Sequence, residues 1–321
     1  MRNQTQSKPE KRPNVTHLMS IKNGEAYLPN SLFDIATNSI AGDQIILVND
    51  GSTDGTPDIL KDFTVEAVRV EILETAGVGI INALNLGVAA ARQHWIIRYD
   101  VDDRYEPNRV EKLLVARTPT AVAIFSDYDF FLNGNVYAGV IPSPITPEAT
   151  EYSLVRSQQT ANSSSAIRLD ALRKVGGYSL DDYPTEDFGL WMRLKNVGDL
   201  ISVPEVLMHH TLSSSSFSAN RRSAIELKTS EIRQSLPFSP ITAERRTELL
   251  ETLKIYRGKN LEFTRKILLY RNVRRAAGLQ GVKLNLAFRL KFLLSIFFSM
   301  NLVELTIQFY YLRKRRRFRS N

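Results

Sequence analysis

The sequence predicts an α/β fold with a mostly parallel central sheet, followed by a helical, basic C-terminal extension. Three observations predict it. Apolar runs of strand length alternate with helical stretches of about 10–15 residues, the pattern of βαβ units. Two acidic clusters, at Asp50 and at Asp100–Asp103, each stand at the end of an apolar run. The charge is also lopsided: residues 281–321 carry nine Lys and Arg against one acid, Glu304, while residues 1–280 hold 33 of each sign.

Residues 1–14 are polar, with Pro9, Pro13 and four basic residues, and read as a disordered leader without the apolar core of a signal peptide. Val15–Met19 reads as a strand, and Asn23-Gly24-Glu25 opens a helical stretch from Ala26 to about Asn38. Ile45–Val48 is a buried-strand run stopped by Asn49-Asp50-Gly51-Ser52. Thr56-Pro57-Asp58 starts a helix, with Pro at an early position where its missing N–H costs little. Val68–Leu73 is a strand, Ile80–Arg92 a helix, Trp95–Tyr99 a strand, Pro107–Ala116 a helix and Ala121–Phe125 a strand.

Asn133-Gly134-Asn135 suits a hairpin turn between Phe130–Leu132 and Val136–Ala138. Residues 142–147 form a Pro-rich loop, Gly176-Gly177-Tyr178 breaks the chain, and Phe188–Lys195 resumes as helix. After the polar Ser213–Ser218 segment the pattern turns helical and basic. The expected domains are therefore 15–220, the α/β unit, and 221–321, the extension.

The absence of cysteine removes disulfides, thiolate metal sites and cysteine nucleophiles. The balanced first 280 residues carry no electrostatic footprint for nucleic acid, so none is expected as a partner.

Three carboxylates within four residues, Asp100, Asp102 and Asp103, repel one another unless solvent or a cation screens them. Hard oxygen ligands suit Mg²⁺ or Mn²⁺, which bind through one or two carboxylates plus substrate phosphates. Taken alone, the stretch also fits a solvated acidic turn. Asp50 lies at a strand end, as does Asp100, and ligands of parallel sheets bind outside the strands' carboxyl ends. Asp50-Gly51-Ser52-Thr53-Asp54-Gly55 is not an EF-hand loop, because Lys61 stands where a bidentate Glu is needed. Asp187, at the mouth of an apolar helix, suits either a general base or a helix cap. One of the pair His209-His210 could complete a metal site with Asp102; one exposed and one buried histidine on a strand is the plainer alternative.

Together these stretches resemble the family 2 glycosyltransferases. The matching segments are Asn23-Gly24-Glu25, Ile46–Gly55, Ala83–Gly87, Arg98–Asp103 with Pro107-Asn108-Arg109, and Gly176-Gly177-Tyr178 with Glu186–Leu194, in order over roughly residues 15–217. The resemblance implies a GT-A fold and a nucleotide-diphosphate sugar donor. Asp50 would bind the base, Asp100 the ribose or metal, and Ser20, Lys22 and Glu25 would lie where the first strand meets the nucleotide. Asp102, with His210, would hold a divalent cation, and Asp187 would deprotonate the acceptor hydroxyl. Ser20, Lys22 and Asn49 depart from the usual residues, which bears on base identity. The expected reaction is inverting, metal-dependent hexosyl transfer to a glycan or lipid-linked acceptor in surface polysaccharide synthesis. A polyprenyl-phosphate sugar synthase, or a non-catalytic module of the same fold, are the competing readings.

Phe292–Leu312 is 21 residues long but carries Glu304 near its middle. Spanning would also put the catalytic unit on the side opposite the Arg313–Arg319 cluster. A helix lying on an anionic membrane surface avoids both difficulties, which places the protein in the cytoplasm, peripheral on the inner face of the cell membrane.

Overall fold

Apolar runs set the centre of the molecule. The computed structural model describes residues 12–132, 135–136, 160–212 and 222–235. Strands β1 (Val15–Ile21), β2 (Gln44–Asp50) and β4 (Trp95–Tyr99) are buried along nearly their whole length on both faces, as parallel strands covered by helices are. β3 (Arg69–Thr75) is half-exposed at the sheet edge and mixes polar with apolar residues. These four strands run parallel in the order β3-β2-β1-β4.

The crossovers are α1 (Leu28–Asn38), α2 (Thr56–Lys61) and α3 (Ile80–Ala90). α1 and α2 each begin with Pro in the first turn, as the Thr56-Pro57 signal predicts for α2. Gly87 of α3 lies directly against the Leu18 side chain, so a Cβ there would collide with it.

The other half of the sheet is antiparallel. After β5 (Arg104–Tyr105) and α4 (Arg109–Val115) come β6 (Ala121–Leu132), β7 (Asn135–Val136), β8 (Ala166–Arg168), α5 (Leu169–Lys174), α6 (Glu186–Leu194), β9 (Asp199–Leu212) and α7 (Arg222–Ser235). The nine-stranded sheet continues β4-β8-β6-β9-β5, with β7 on β6. β8 is antiparallel to both β4 and β6, so β6 keeps the direction of the parallel half. β5, β8 and β9 lie beyond the alternation that the apolar runs predict.

The chain divides into two compact units. The first comprises Met1–Tyr128, Pro142–His210 and Ser214–Phe238. Its core packs α3, α5 and α6 on Leu18, Ile46, Val48, Ile96 and Ile167, with Trp191 edge-on to Phe125 at 4.8 Å and Ile232 of α7 against the same cluster. The second unit comprises Asp129–Ile141, Thr211–Ser213 and Ser239–Asn321. In it Phe131 pairs with Val136 and Leu132 with Asn135, the hairpin expected there. The leader up to Lys11, the 142–147 loop, Ser213–Ser218 and Phe292–Leu312 lie outside the described residues. Among the described residues no helix is long and apolar enough to cross a membrane.

Two polar devices hold the frame. Asp43, buried ahead of β2, accepts hydrogen bonds from Arg12 (2.6 and 3.1 Å), Asn14 (3.1 Å), the Val15 and Ile40 amides (both 2.9 Å) and His17 (3.2 Å). It thereby ties the start of β1 to the end of α1. Burial alone would raise its pKa, but the His17 and Arg12 bonds outweigh that and hold it well below the usual carboxylate range. His17, fully buried, is lowered by desolvation in spite of Asp43.

The second device leads into α6. Asp182 ion-pairs with Arg193, whose other nitrogen donates to the Gly177 carbonyl at 2.8 Å, and the Thr185 amide donates to the Asp182 carbonyl at 2.8 Å. The Asp182 carboxylate occupies the space where a side chain at Gly189 would stand.

Two outcomes follow. Below about pH 6.5 the unfolded chain protonates His17, and below about 3.9 Asp43, while the folded protein resists both. Urea midpoints should therefore fall in two stages on acidification; Asp43→Asn should remove the lower stage and cost about 3–5 kcal/mol at neutral pH. Gly→Ala inside a helix ordinarily stabilises by about 1 kcal/mol. At Gly189 it should instead destabilise by about 1–3 kcal/mol, measured by the same unfolding, because it displaces Asp182.

Candidate active site

The carboxyl ends of β1, β2 and β4 carry the polar residues that the sequence singles out. At the end of β2, Asp50 is 2% exposed. Its Oδ1 accepts from Thr75 Oγ1 (2.5 Å) and the Val78 amide (2.7 Å), and its Oδ2 from the Gly79 amide (3.0 Å). A carboxylate offers about four lone-pair directions, so three protein donors leave room for one more. Asp50 therefore fixes the turn ahead of α3, where Gly77 (φ 83°) and Gly79 (φ 89°) take left-handed backbone. Gly51 (φ 68°) approaches so closely that a Cβ would stand 2.7 Å from the Gly77 nitrogen. Lys22 is exposed beside this turn, its Nζ 3.3 Å from where a Gly77 Cβ would be. Ser20, half-buried near the end of β1, pairs in register with Val48.

Glu25 has another partner. Its Oε2 accepts from the Gly55 amide (2.9 Å), and its own amide donates to Asp54 (3.1 Å). With Thr53 N bonded to Asn23 Oδ1 (2.8 Å) and Gly24 N to Thr56 Oγ1 (2.9 Å), the Asn23-Gly24-Glu25 turn and the Asp50–Gly55 loop are stitched together.

The acidic segment rests on two arginines with no solvent exposure. Arg98 donates to the Leu18 and Tyr99 carbonyls (2.9 and 3.2 Å) and to Asp100 Oδ1 (2.9 Å). Asn108, in left-handed backbone (φ 64°), turns the chain into α4 just ahead of Arg109. The Arg109 guanidinium lies 4.8 and 4.7 Å from the Tyr99 and Tyr105 ring centres and donates to the Ser163 carbonyl at 2.6 Å. Asp100 keeps 37% of its side chain exposed.

Asp103 is the buried member of the trio, accepting from Ser163 Oγ (2.7 Å) and meeting His210 Nδ1 at 2.9 Å. Burial, then the charges of Asp103 and Asp100, push Asp102 up to about 7. Burial would lower His210, but the bond and charge of Asp103, with Asp102 and Asp100 beyond, raise it to about 9. The two adjacent histidines do not divide into one exposed and one buried. Both are partly buried and carboxylate-bound, His209 to Glu106 at 2.8 Å and His210 to Asp103.

Among the described residues no three His, Asp or Glu side chains are placed to hold a metal ion by themselves. The donor set nevertheless fits a divalent cation whose remaining ligands are phosphate oxygens: burial, then the charges of Asp103 and Asp100, raise Asp102, and Asp100 is accessible beside it.

Across from this segment, α6 opens with Glu186 and Asp187. Asp187 is half-buried and accepts from the Phe188 amide at 2.7 Å. Tyr128 is raised by burial and then by the charges of Asp187 and Asp103, so both carboxylates lie within its electrostatic reach. Asp100–Asp103, His210 and the mouth of α6 thus gather in one place, while Ser20, Lys22 and Asp50 line the neighbouring strand ends and Glu25 is occupied by the loop at Gly55. Sequence reading assigned no role to Asp103, Ser163, Arg98 or Glu186. Asp103 stood in the acidic cluster; a Ser amid Asn162-Ser163-Ser164-Ser165 gave no signal.

The chain matches the glycosyl transferase family 2 model over residues 17–174. It is 24% identical over 212 residues to an uncharacterized glycosyltransferase of Haemophilus influenzae, covering 62% of this chain and 66% of that protein. It is 28% identical over 242 residues to the Escherichia coli UDP-Gal:alpha-D-GlcNAc-diphosphoundecaprenol beta-1,3-galactosyltransferase, covering 70% and 83%. A Pyrobaculum calidifontis mannosyltransferase solved with GDP-Man and Mn²⁺ superposes with a TM-score of 0.58 at 16% identity, covering 95% of this chain and 86% of that one. The sheet, the strand-end carboxylates and these matches agree on a glycosyltransferase with the GT-A fold, similar to family 2 over residues 17–174.

Proposed function

We propose that the protein is an inverting, metal-dependent hexosyltransferase that moves a sugar from a nucleoside-diphosphate donor to a glycan or lipid-linked acceptor. One observation carries the reading: at the end of β4 Asp103 meets His210 at 2.9 Å, and the His210 ring stands edge-on to Tyr128 at 6.5 Å, which the charge of Asp187 at the mouth of α6 also reaches. The Escherichia coli relative, whose name specifies UDP-Gal and a lipid-diphosphate acceptor, supports the substrate class.

Ser20 and Lys22 contact the nucleotide beside the turn that Asp50 fixes. Asp50's remaining lone pair is available to a base N–H, and Glu25 supports the loop beneath. Asp100 meets the ribose. Asp102, with His210 at hand once its proton is lost, would hold Mn²⁺ or Mg²⁺ against the diphosphate. When bound, that cation supplies charge neutralisation for the leaving group.

Asp187 takes the proton of the acceptor hydroxyl. The acceptor oxygen bonds to the anomeric carbon on the face opposite the diphosphate, and the breaking C–O bond leaves its electron pair on the diphosphate. A single displacement of this kind inverts the anomeric centre. Residues 15–220 form the catalytic domain in this reading, and the basic end of 221–321 attaches it to the inner face of an anionic membrane in surface polysaccharide synthesis.

Thermal unfolding against UDP, GDP, dTDP and CMP, each with Mn²⁺ and again with EDTA, tests the donor site. Stabilisation by one nucleoside diphosphate is expected, about 2.7 kcal/mol at 100 times its Kd, and EDTA should abolish it. No shift with any nucleotide refutes the reading. Asp187→Asn should lower kcat by about 10²–10⁴-fold with nucleotide affinity unchanged; full turnover would remove Asp187 from the base role.

A further inference from the structure

Of the three carboxylates in the acidic segment, Asp102 is the one whose side chain nothing grips. Asp100 takes a hydrogen bond from Arg98, and Asp103 takes Ser163 and His210. Among the described residues Asp102 takes none from another residue. Its place is therefore set by the backbone on either side of it.

One hydroxyl closes that stretch of backbone. The Asp100 amide donates to Tyr105 Oη at 2.6 Å, and the same hydroxyl donates to the Asp100 carbonyl at 3.3 Å. The Asp103 amide reaches that carbonyl as well, at 3.3 Å. A buried tyrosine needs a partner for its hydroxyl, and any carbonyl would meet that need. Tyr105 does more, because its two bonds fix the peptide units on both sides of the Asp100 Cα.

Tyr105 is itself held firmly. It is 4% exposed, and its amide donates to Asp34 Oδ2 at 3.0 Å, the α1 carboxylate that also binds Arg104 at 2.7 and 3.0 Å. Its ring stands edge-on to Tyr99 at 4.6 Å, with the Arg109 guanidinium over it. A phenol ring has only two torsions, so an anchored ring carries its hydroxyl to a fixed point. Val101 supplies a second hold on the stretch, resting on Gly24 so closely that a Cβ there would stand 2.8 Å from Val101 Cγ2.

We infer that Tyr105 is a positioning residue for the divalent cation: by fixing both peptide units of Asp100 it keeps Asp102 where it can share one cation with a nucleotide diphosphate. The inference rests on the proposed function, which puts that cation at Asp102.

The test titrates Mn²⁺ into the full chain at a fixed level of UDP, GDP, dTDP or CMP, whichever stabilises the wild type. Free Mn²⁺ is followed by electron paramagnetic resonance against a protein-free blank. Tyr105→Phe keeps the ring and removes the hydroxyl, and should raise the half-saturating Mn²⁺ concentration about 3- to 10-fold. Tyr99→Phe is the control: it removes a hydroxyl that is also buried, on a ring beside the same arginine, but aimed at His17 Nδ1 (3.2 Å). Both variants lose a buried hydrogen bond and should lower Tm; only Tyr105→Phe should move the Mn²⁺ dependence. An unchanged half-saturation in Tyr105→Phe overturns the inference. So does an equal shift in Tyr99→Phe, which would mark a general loosening of the core. Amide hydrogen exchange of the wild type checks the geometry without a variant: the Asp100 amide should be protected, and exchange at the rate of an open loop also overturns the inference. If the wild type binds neither Mn²⁺ nor any of these nucleotides, the proposed function fails and this inference with it. If the wild type binds both and Tyr105→Phe behaves identically, the inference alone fails.

Discussion

Two arginines with no access to water carry the acidic segment, and the candidate site depends on them. Asp100, Asp102, Asp103, Glu186 and Asp187 gather negative charge at one end of the sheet, which a low-dielectric setting would not tolerate unassisted. Arg98 and Arg109 are the fixed counter-charges beneath it. Arg98 spends its donors on the carbonyls of Leu18 and Tyr99 and on Asp100, so it locks β1 to β4 while neutralising the first carboxylate. Arg109 lies against Tyr99 and Tyr105 and donates to Ser163, bringing the segment that contains Asp103's hydroxyl partner to the same place. A planar, always charged guanidinium can do this; an ammonium, compact and strongly hydrated, is poorly suited.

The remaining charge is balanced differently at the two ends of the segment. Asp103 is bonded by His210 and Ser163, whereas at Asp102 burial and the charges of Asp103 and Asp100 outweigh the attraction of His210. The protein therefore keeps one carboxylate structural and one poised for an incoming positive charge. Neither state is visible in the letters Asp-Val-Asp-Asp.

The parallel half of the sheet was legible because β2 and β4 hold the apolar runs Ile45–Val48 and Trp95–Ile97 and β1 is apolar at Val15, Leu18 and Met19, and burial on both faces leaves that trace. β3 ran two residues beyond its expected end: Glu74 and Thr75 are polar, and an edge strand need not be apolar. β5 and β8, two and three residues long, are too short for any periodicity, and β9 contains the exposed Pro204. Of the antiparallel half only β6 and its hairpin were accordingly visible. At the site the residue types were readable and their partners were not. In a strand buried on both faces, sequence alternation cannot say which way Arg98 points. Nor can it say whether Asp102 or Asp103 meets His210.

The arrangement at α6 carries a consequence for how such sequences are compared. Positions 182 and 189 contend for a single volume: the carboxylate of the first sits where a side chain of the second would grow. Arg193 requires an anion at that point in space, not at a particular place along the chain. An acidic side chain carried by the helix itself could satisfy it, with a small residue in the preceding loop. The two positions are therefore expected to vary as a pair, and a column-by-column reading would score as two losses what is one relocated charge.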